Sequence, residues 1–379
     1  MSHAPTASLG RRHETVRQAC AGQSLDALVV TSLPNILYLT NFTGSSAIVV
    51  LTVDRLYFIT DFRYVTAIEG MRETAYDCPQ LELVVVEGSY DASLAALLRS
   101  MPSARVGFEA AHLTVARHAW LVAALAGSDS VPTLSATEGI VERARVRKDR
   151  HELDTLRTAA QMLAGVVPGA VEEVRRGRTE REVALAIDLR LLRAGFDRTA
   201  FATIVAAGPN GALPHARSGE RRLSENDLVV LDFGGVFHAY CVDLTRTVSI
   251  GPAGARAREV YDAVRLAHDL AIQAVRPGQS RFDIDAAARD ELTRQGLGEA
   301  FGHGTGHGLG IEVHEDPRIA RRRPDIDLQD EPVVAGMVFT IEPGAYIPGW
   351  GGVRIEDDVV VTETGVDVLT TATTELIEI

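Results

Sequence analysis

Cysteine is scarce in this sequence. Only Cys20, Cys78 and Cys241 occur, none in a C-x-x-C pair, and an odd number cannot close fully into disulfides within one chain. Free thiols in a reducing, cytoplasmic setting are therefore expected. Basic residues are also in deficit, 38 against 51 acidic ones, for a net charge of −13. That balance argues against a nucleic-acid or anionic-membrane surface, because either needs a basic footprint. Long apolar runs are missing too. No stretch is long enough to cross a bilayer, and the first 25 residues hold His13, Glu14 and Arg17 without the apolar core of a signal peptide. Short-period repeats and low-complexity segments do not occur.

What is present has the texture of an ordinary globular protein. The 379 residues are 46% hydrophobic and 23% charged, enough for two or three domains. Residues 27–31, 47–53, 56–60, 83–86 and 106–109 are short, apolar and rich in β-branched side chains, as buried strands are. Helical patterns at 93–99 and 115–125 fall between or after them. Strands alternating with helices predict an α/β domain over residues 1–143. The charge-dense segment 141–152 breaks the pattern, and a second domain is expected over 149–379. It opens with a long helix from about Asp149 to Arg176. A second helix follows, with Thr179 as N-cap, Glu182 completing a capping box and Gly195 as terminator. Beyond Gly195 come strands with glycine-rich turns, interrupted by helices near 255–275 and 281–295, so this half reads as α+β with long antiparallel hairpins.

Two of those hairpins carry buried acids. Asp232 and Asp243 lie in apolar strand patterns on either side of a turn, and pairing about their midpoint sets them face to face. Glu342 and Glu356 stand symmetrically about Gly349 in the same way, as a duplicated half-domain would leave them. A carboxylate in an apolar strand is costly to bury unless it is paired or binds a metal. Four converging carboxylates repel one another, and two divalent cations balance them, +4 against −4. Carboxylates with a single histidine suit Mn²⁺, Co²⁺, Fe²⁺ or Zn²⁺.

The densest signal is Gly302-His303-Gly304-Thr305-Gly306-His307-Gly308-Leu309-Gly310. Five glycines in nine residues exclude a stable helix, so His303 and His307 are not a helical i,i+4 pair. Glycine here permits close backbone approach to a ligand or metal. The stretch does not follow the G-x-G-x-x-G pattern of a phosphate loop, and its histidines suit metal or acid–base chemistry better. His314 follows in Ile311-Glu-Val-His-Glu and His215 lies in Leu213-Pro-His-Ala-Arg-Ser-Gly, each by itself an ordinary polar residue, whereas His3, His13, His112, His118 and His151 have no supporting pattern.

Taken together, these motifs resemble a known family. Pro214-His215 with Ser218, Asp232 and Asp243 eleven apart, the 302–308 glycine–histidine run, Val313-His314-Glu315, Ile341-Glu342-Pro343-Gly344 and Val353-Arg354-Ile355-Glu356-Asp357 are similar to those of the "pita-bread" metallopeptidases of the M24 type. The branch they most resemble is the Xaa-Pro aminopeptidases and prolidases. Segments 35–44 and 60–64 look like the creatinase-type N-terminal domain of that branch, which methionine aminopeptidases lack. The resemblance implies an α+β pita-bread catalytic domain and a substrate that is a short peptide. It implies two divalent ions, Mn²⁺ first with Co²⁺ or Zn²⁺ as alternatives, held by Asp232, Asp243, His307, Glu342 and Glu356, with Asp243 and Glu356 bridging. It places His215, His303, His314, Tyr346 and Arg354 around the metals as catalytic groups, and it implies a homodimer.

The reaction expected of such a site is attack of a metal-bridging hydroxide on the Xaa-Pro bond at a peptide N-terminus. Glu342 moves the proton to the leaving nitrogen, and His303 or His314 donates to the oxyanion, a bond worth roughly 3–4 kcal/mol. The alternatives are a same-fold peptidase of other specificity, one that reads the substrate's C-terminus among them, or an inactive pita-bread peptide-binding protein. The segment 314–337 is longer than the common family pattern and carries Arg321, Arg322 and Arg323. Arginines suit bidentate capture of carboxylates, so these three are expected at a substrate carboxylate.

Overall fold

The structure, a computed structural model, describes residues 3–101, 104–126, 131–322 and 330–379. It divides into two compact units, 2–145 and 146–379. Among the described residues no helix is long and apolar enough to cross a membrane.

The N-terminal unit is built on α1 (Thr6–Gly22), β1 (Ala27–Val30), α2 (Leu33–Thr40), β2 (Ile48–Thr52), β3 (Leu56–Thr60), α3 (Phe62–Glu69), β4 (Leu81–Val85), α4 (Tyr90–Arg99), β5 (Arg105–Glu109), α5 (Val115–Leu125) and β6 (Thr133–Thr137), with α6 (Ile140–Val146) running to its end. One sheet takes the order β4-β3-β2-β1-β5-β6. Only the pairings of β2 are antiparallel. Five of these strands were legible as apolar runs. β6 was not, since Thr133, Ser135 and Thr137 make it too polar. Helices α1 to α3 were also unread; α2 is only eight residues long and ends at Asn41 in the left-handed region.

In the C-terminal unit, α7 (Arg150–Glu173) and α8 (Glu180–Ala194) both start at capping boxes, Asp149 with Glu152 and Thr179 with Glu182. Gly195, at φ 105°, terminates α8. Strands β7 (Arg198–Thr199) and β8 (Ile204–Ala207) precede a hairpin of β9 (Leu228–Phe237) and β10 (Tyr240–Ser249). The order then repeats: α9 (Ala255–Ala274), α10 (Arg281–Arg294), β11 (Gly306–Gly308), β12 (Glu315–Ile319), and a second hairpin of β13 (Val338–Ile341), β14 (Gly344–Ile347), β15 (Gly351–Arg354) and β16 (Asp357–Val361). β17 (Val366–Val368) pairs with β16, and β18 (Ile377–Glu378) with β10. Val264, Ala267, Ile284, Ala288 and Leu292 of α9 and α10 pack with Phe339, Ile341 and Val359 into one core under the second hairpin.

The second hairpin keeps the expected register, with Gly344 opposite Arg354 and Ile341 opposite Asp357. The first does not. Tyr240 pairs with Phe237, so Asp232 lies opposite Thr245 and Asp243 opposite Gly234. The turn is His238-Ala239, both at positive φ (50° and 71°), one residue later than the midpoint of the aspartates. The two acids are therefore diagonal rather than directly opposed. A shift of two residues preserves the face, so both still point the same way. The turn carries no Asn-Gly or Asp-Gly signal, which is why its position was not legible.

Gly306 and Gly308 of the 302–310 run are required by strand packing. A Cβ on Gly306 would fall 1.8 Å from the Thr340 carbonyl oxygen, and one on Gly308 2.1 Å from that of Asp316. Both obstacles are backbone. Gly306→Ala is therefore expected to cost roughly 2–3 kcal/mol of stability, seen as a lower denaturant midpoint. A variant within about 0.5 kcal/mol of wild type would show that the strands can separate freely.

Candidate active site

The two hairpins and β11 converge on one buried cluster. Asp243, His307 and Glu356 each offer an atom within 4.8 Å of the others, an arrangement that could hold a metal ion. Glu342 Oε1 lies 3.6 Å from His307 Nε2. The hairpins are joined at the cluster itself: Glu356 N–H donates to the Thr245 carbonyl (3.1 Å), and Thr245 Oγ1 donates to Glu356 Oε2 (2.6 Å). Oδ1 of Asp232 and Oδ1 of Asp243 are buried and have no hydrogen-bond partner.

Burial is the largest influence on each carboxyl. It holds Asp243 and Glu342 well above the usual carboxylate range, with Glu356 adding repulsion to both. Glu356 is pushed up to about 8 by burial and then by Asp232. Asp232 is also raised by burial, against the pull of Arg354. The buried layer holds further charges. Arg354 pairs with Asp232 and Arg246 with Asp357 (2.8 Å), while Asp358 accepts the Asp243 N–H (3.0 Å). With all six ionised and His268, 3.1 Å from Asp357, neutral, Asp232, Asp243, Glu342, Glu356, Asp357 and Asp358 against the two arginines leave four negative charges. Two divalent cations balance that, and the unpartnered oxygens supply ligand positions, so the residues fit a dinuclear centre.

His307 is set up as a ligand. Its Nδ1–H donates to the Gly308 carbonyl (3.1 Å), which leaves the Nε2 lone pair facing the acids. Burial pushes its pKa down to about 3, so the ring is neutral.

Around the cluster lie the other expected residues. Arg354 Nη1 donates to Tyr346 Oη (2.8 Å) and to the Pro214 carbonyl (3.2 Å), beside His215, and Nε donates to Thr245 Oγ1 (3.1 Å). The Tyr346 hydroxyl lies 2.9 Å from His303 Nε2. His303 Nδ1 is 2.8 Å from the Gly304 carbonyl, which can only accept. Nδ1 therefore carries the proton, and Nε2 accepts from the Tyr346 O–H. Burial lowers the His303 pKa to about 4 and raises that of Tyr346 to about 12, so both stay neutral. His314 is exposed, with its ring centroid 4.3 Å from that of His307. His215 is exposed as well, within electrostatic range of Asp232, His303 and His314.

The arginine cluster stands differently. Arg322 pairs with Asp330 (3.3 Å) and stacks over Phe282 (4.6 Å), and Arg321 is exposed. Arg323 lies outside the described residues. Sequence reasoning passed over Arg318. It is the cross-strand partner of His307, so the two share a face of the sheet, and its charge acts on both His307 and His314. Arg318 is exposed and makes no ion pair among the described residues. The available signal was its place in a strand, four residues beyond His314.

The comparisons with known proteins agree with this geometry. The profile of metallopeptidase family M24 matches residues 154–363, and that of the creatinase/prolidase N-terminal domain matches residues 12–147. An uncharacterized peptidase of Bacillus subtilis is 35% identical over 96% of this chain and 99% of its own length. A solved Xaa-Pro dipeptidase from Bacillus anthracis is 33% identical, with a TM-score of 0.91 covering 98% of this chain and 100% of the other. A solved Xaa-Pro aminopeptidase from Thermotoga maritima is 29% identical, with a TM-score of 0.83 covering 96% and 100%. A creatinase-type domain followed by a pita-bread domain with a buried acid–imidazole cluster defines a class, the metal-dependent peptidases. The chain belongs to metallopeptidase family M24 and is a hydrolase of peptides.

Proposed function

We propose that this protein is a dinuclear Xaa-Pro dipeptidase, cleaving the bond before proline in short peptides with a free C-terminus. The observation that carries the reading is the site's donor set. Asp232 and Asp243 keep buried unpartnered oxygens, and His307 turns its lone pair to the same place. Asp232, Asp243, His307, Glu342 and Glu356 would hold two divalent ions, Mn²⁺ in preference to Co²⁺ or Zn²⁺. Such ions lower the pKa of a coordinated water to near neutrality and polarise a scissile carbonyl.

The chain's own groups do the rest. Glu342 carries the proton to the leaving nitrogen, which in proline is a secondary amine. His303 is committed to Gly304 and Tyr346 and works by holding the Tyr346 hydroxyl beside Arg354, so of the two expected oxyanion donors His314 is the one with a ring nitrogen to offer. Tyr346 and Arg354 form a neutral-to-cationic wall that fixes Asp232 and the backbone beside His215. Arg318, rather than the 321–323 cluster, meets the substrate carboxylate, since it shares the face of His307 and makes no ion pair among the described residues. The reading includes a homodimer in a reducing, cytoplasmic compartment; the three cysteines are free and buried, as such a compartment allows.

A peptide panel tests it. Ala-Pro and Gly-Pro, with free and amidated C-termini, longer Xaa-Pro peptides and non-proline dipeptides are compared by mass spectrometry of the products. Free Xaa-Pro dipeptides are expected to be the best substrates. Arg318→Ala is expected to raise KM for free dipeptides tenfold or more while leaving amidated ones unchanged, as loss of a charged hydrogen bond of roughly 1.5–3 kcal/mol implies. Equal rates on amidated and free substrates in the wild-type enzyme would refute carboxylate reading.

A further inference from the structure

Residues 301–305, which carry His303, form no helix or strand of their own. Their position has to come from elsewhere, and it comes from one face of α10. Asp285 and Arg289, one helical turn apart, form a bidentate pair (2.8 and 2.9 Å), with Asp285 fully buried. The remaining bonds of both side chains go to the loop. Arg289 Nη1 donates to the Phe301 carbonyl (2.9 Å) and Nη2 to the His303 carbonyl (2.7 Å), and the guanidinium lies over the Phe301 ring (4.3 Å). Asp285 Oδ1 accepts from Thr305 N–H (3.0 Å) and Thr305 Oγ1 (2.9 Å). The Thr305 carbonyl in turn accepts the Glu342 N–H (2.7 Å).

We propose that the Asp285–Arg289 pair is the positioning device of the active site, setting His303 through its own carbonyl and Glu342 through Thr305. Neither side chain touches the acid cluster. They act through backbone atoms flanking residues that do. A guanidinium fork is needed because two carbonyls and a carboxylate are held at once, in one plane, and an ammonium cannot reach all three. The proposal rests on the reading of His303 and Glu342 as working groups, and the experiment separates the two claims.

Arg289→Lys keeps the charge opposite Asp285 and loses the fork. The metal-loaded variant is expected to hold the wild-type quantity of metal and a wild-type Tm, with kcat down on the order of a hundredfold and KM little changed, since displacement by about an ångström costs that much. Asp285→Asn, which keeps the shape and weakens the pair, is expected to lose kcat in the same direction; it also serves if the lysine variant fails to fold. In a His303→Ala background, Arg289→Lys is expected to cost clearly less than in the wild-type background, because only the route through Thr305 to Glu342 remains to be disturbed. An Arg289→Lys loss of equal size in both backgrounds overturns the positioning role, as does a wild-type kcat in both Arg289→Lys and Asp285→Asn. A fully active His303→Ala enzyme instead overturns the reading of the site, and the clamp on His303 falls with it.

Discussion

Asp243→Ala and Glu356→Ala are each expected to abolish metal uptake and peptide hydrolysis together, while the metal-free variants melt at higher temperature than metal-free wild type. The two halves of this expectation have one cause. Asp243 lies among Glu356, Asp232, Asp358 and Glu342, all raising its pKa, and one of its oxygens has no hydrogen-bond partner. In the absence of cations each acid in the cluster is buried against its neighbours at a cost. Deleting one relieves that cost, which is why the metal-free variant gains stability. It also deletes a ligand from the group that Asp243, His307 and Glu356 form, so the stabilisation that ligand binding confers on the folded state is lost. Elemental analysis, activity and melting curves with and without chelator read all three. A metal-replete, active Asp243→Ala enzyme would sink the assignment, and a metal-free variant less stable than wild type would sink its electrostatic basis.

The second large effect is a pH dependence confined to the metal-free protein. Burial and Asp232 push Glu356 up to about 8 in the folded state, against 4.5 for a free glutamate side chain. Between those values the folded protein retains a proton that the unfolded chain has released. Unfolding then releases protons, so stability falls as pH rises. The contribution of Glu356 is fully present below about pH 4.5 and is lost as pH climbs through about 8. The whole window is worth on the order of 5 kcal/mol. Asp243 and Glu342 are raised as well and add slope of the same sign. Loaded with divalent cations, the carboxylates are ionised in the folded state and this slope should vanish. Melting temperatures of chelated and metal-loaded protein from pH 5 to 9 provide the check. A chelated protein whose Tm is flat or rises across that range contradicts the cluster as described.

Arg246 shows how much of the site's support was invisible beforehand. In the chain it is an unremarkable arginine three residues after Asp243. In the fold it is fully buried and donates to the carbonyls of Thr245 and Glu356 (2.9 and 2.7 Å), to Thr373 and Ala372 (2.7 and 2.9 Å) and to Asp357 (2.8 Å). It thereby ties the first hairpin, the second hairpin and the C-terminal segment together behind Glu356. Apart from the neighbouring Thr245, these partners are more than a hundred residues away, and no local pattern announces them. No local pattern announces the loop bonds of Asp285 and Arg289 either, although these span only 12 to 20 residues; the two read locally as an ordinary i,i+4 surface pair.

The acids themselves were legible because burial of charge is a local anomaly: Asp232, Asp243, Glu342 and Glu356 interrupt apolar strands, and such interruptions need a reason. Helix limits at Thr179 and Gly195 were legible for a similar reason, since caps are set by the backbone groups a helix end leaves unpaired. Register was legible only where symmetry about Gly349 coincided with the turn, and failed by two residues at His238-Ala239, where no turn residue marks the place. Side-chain partnership was not legible at all. Arg322, expected at the substrate, pairs with Asp330 and stacks on Phe282, whereas β12 sets Arg318 on the sheet face of His307. By itself the sequence determined which residue types are available and on which face of each strand they stand, because alternation and capping act over a few residues. The tertiary structure alone decided which of those faces meet, that Tyr346 meets His303 and that Arg246 lies behind Glu356, because those depend on contacts between segments far apart in the chain.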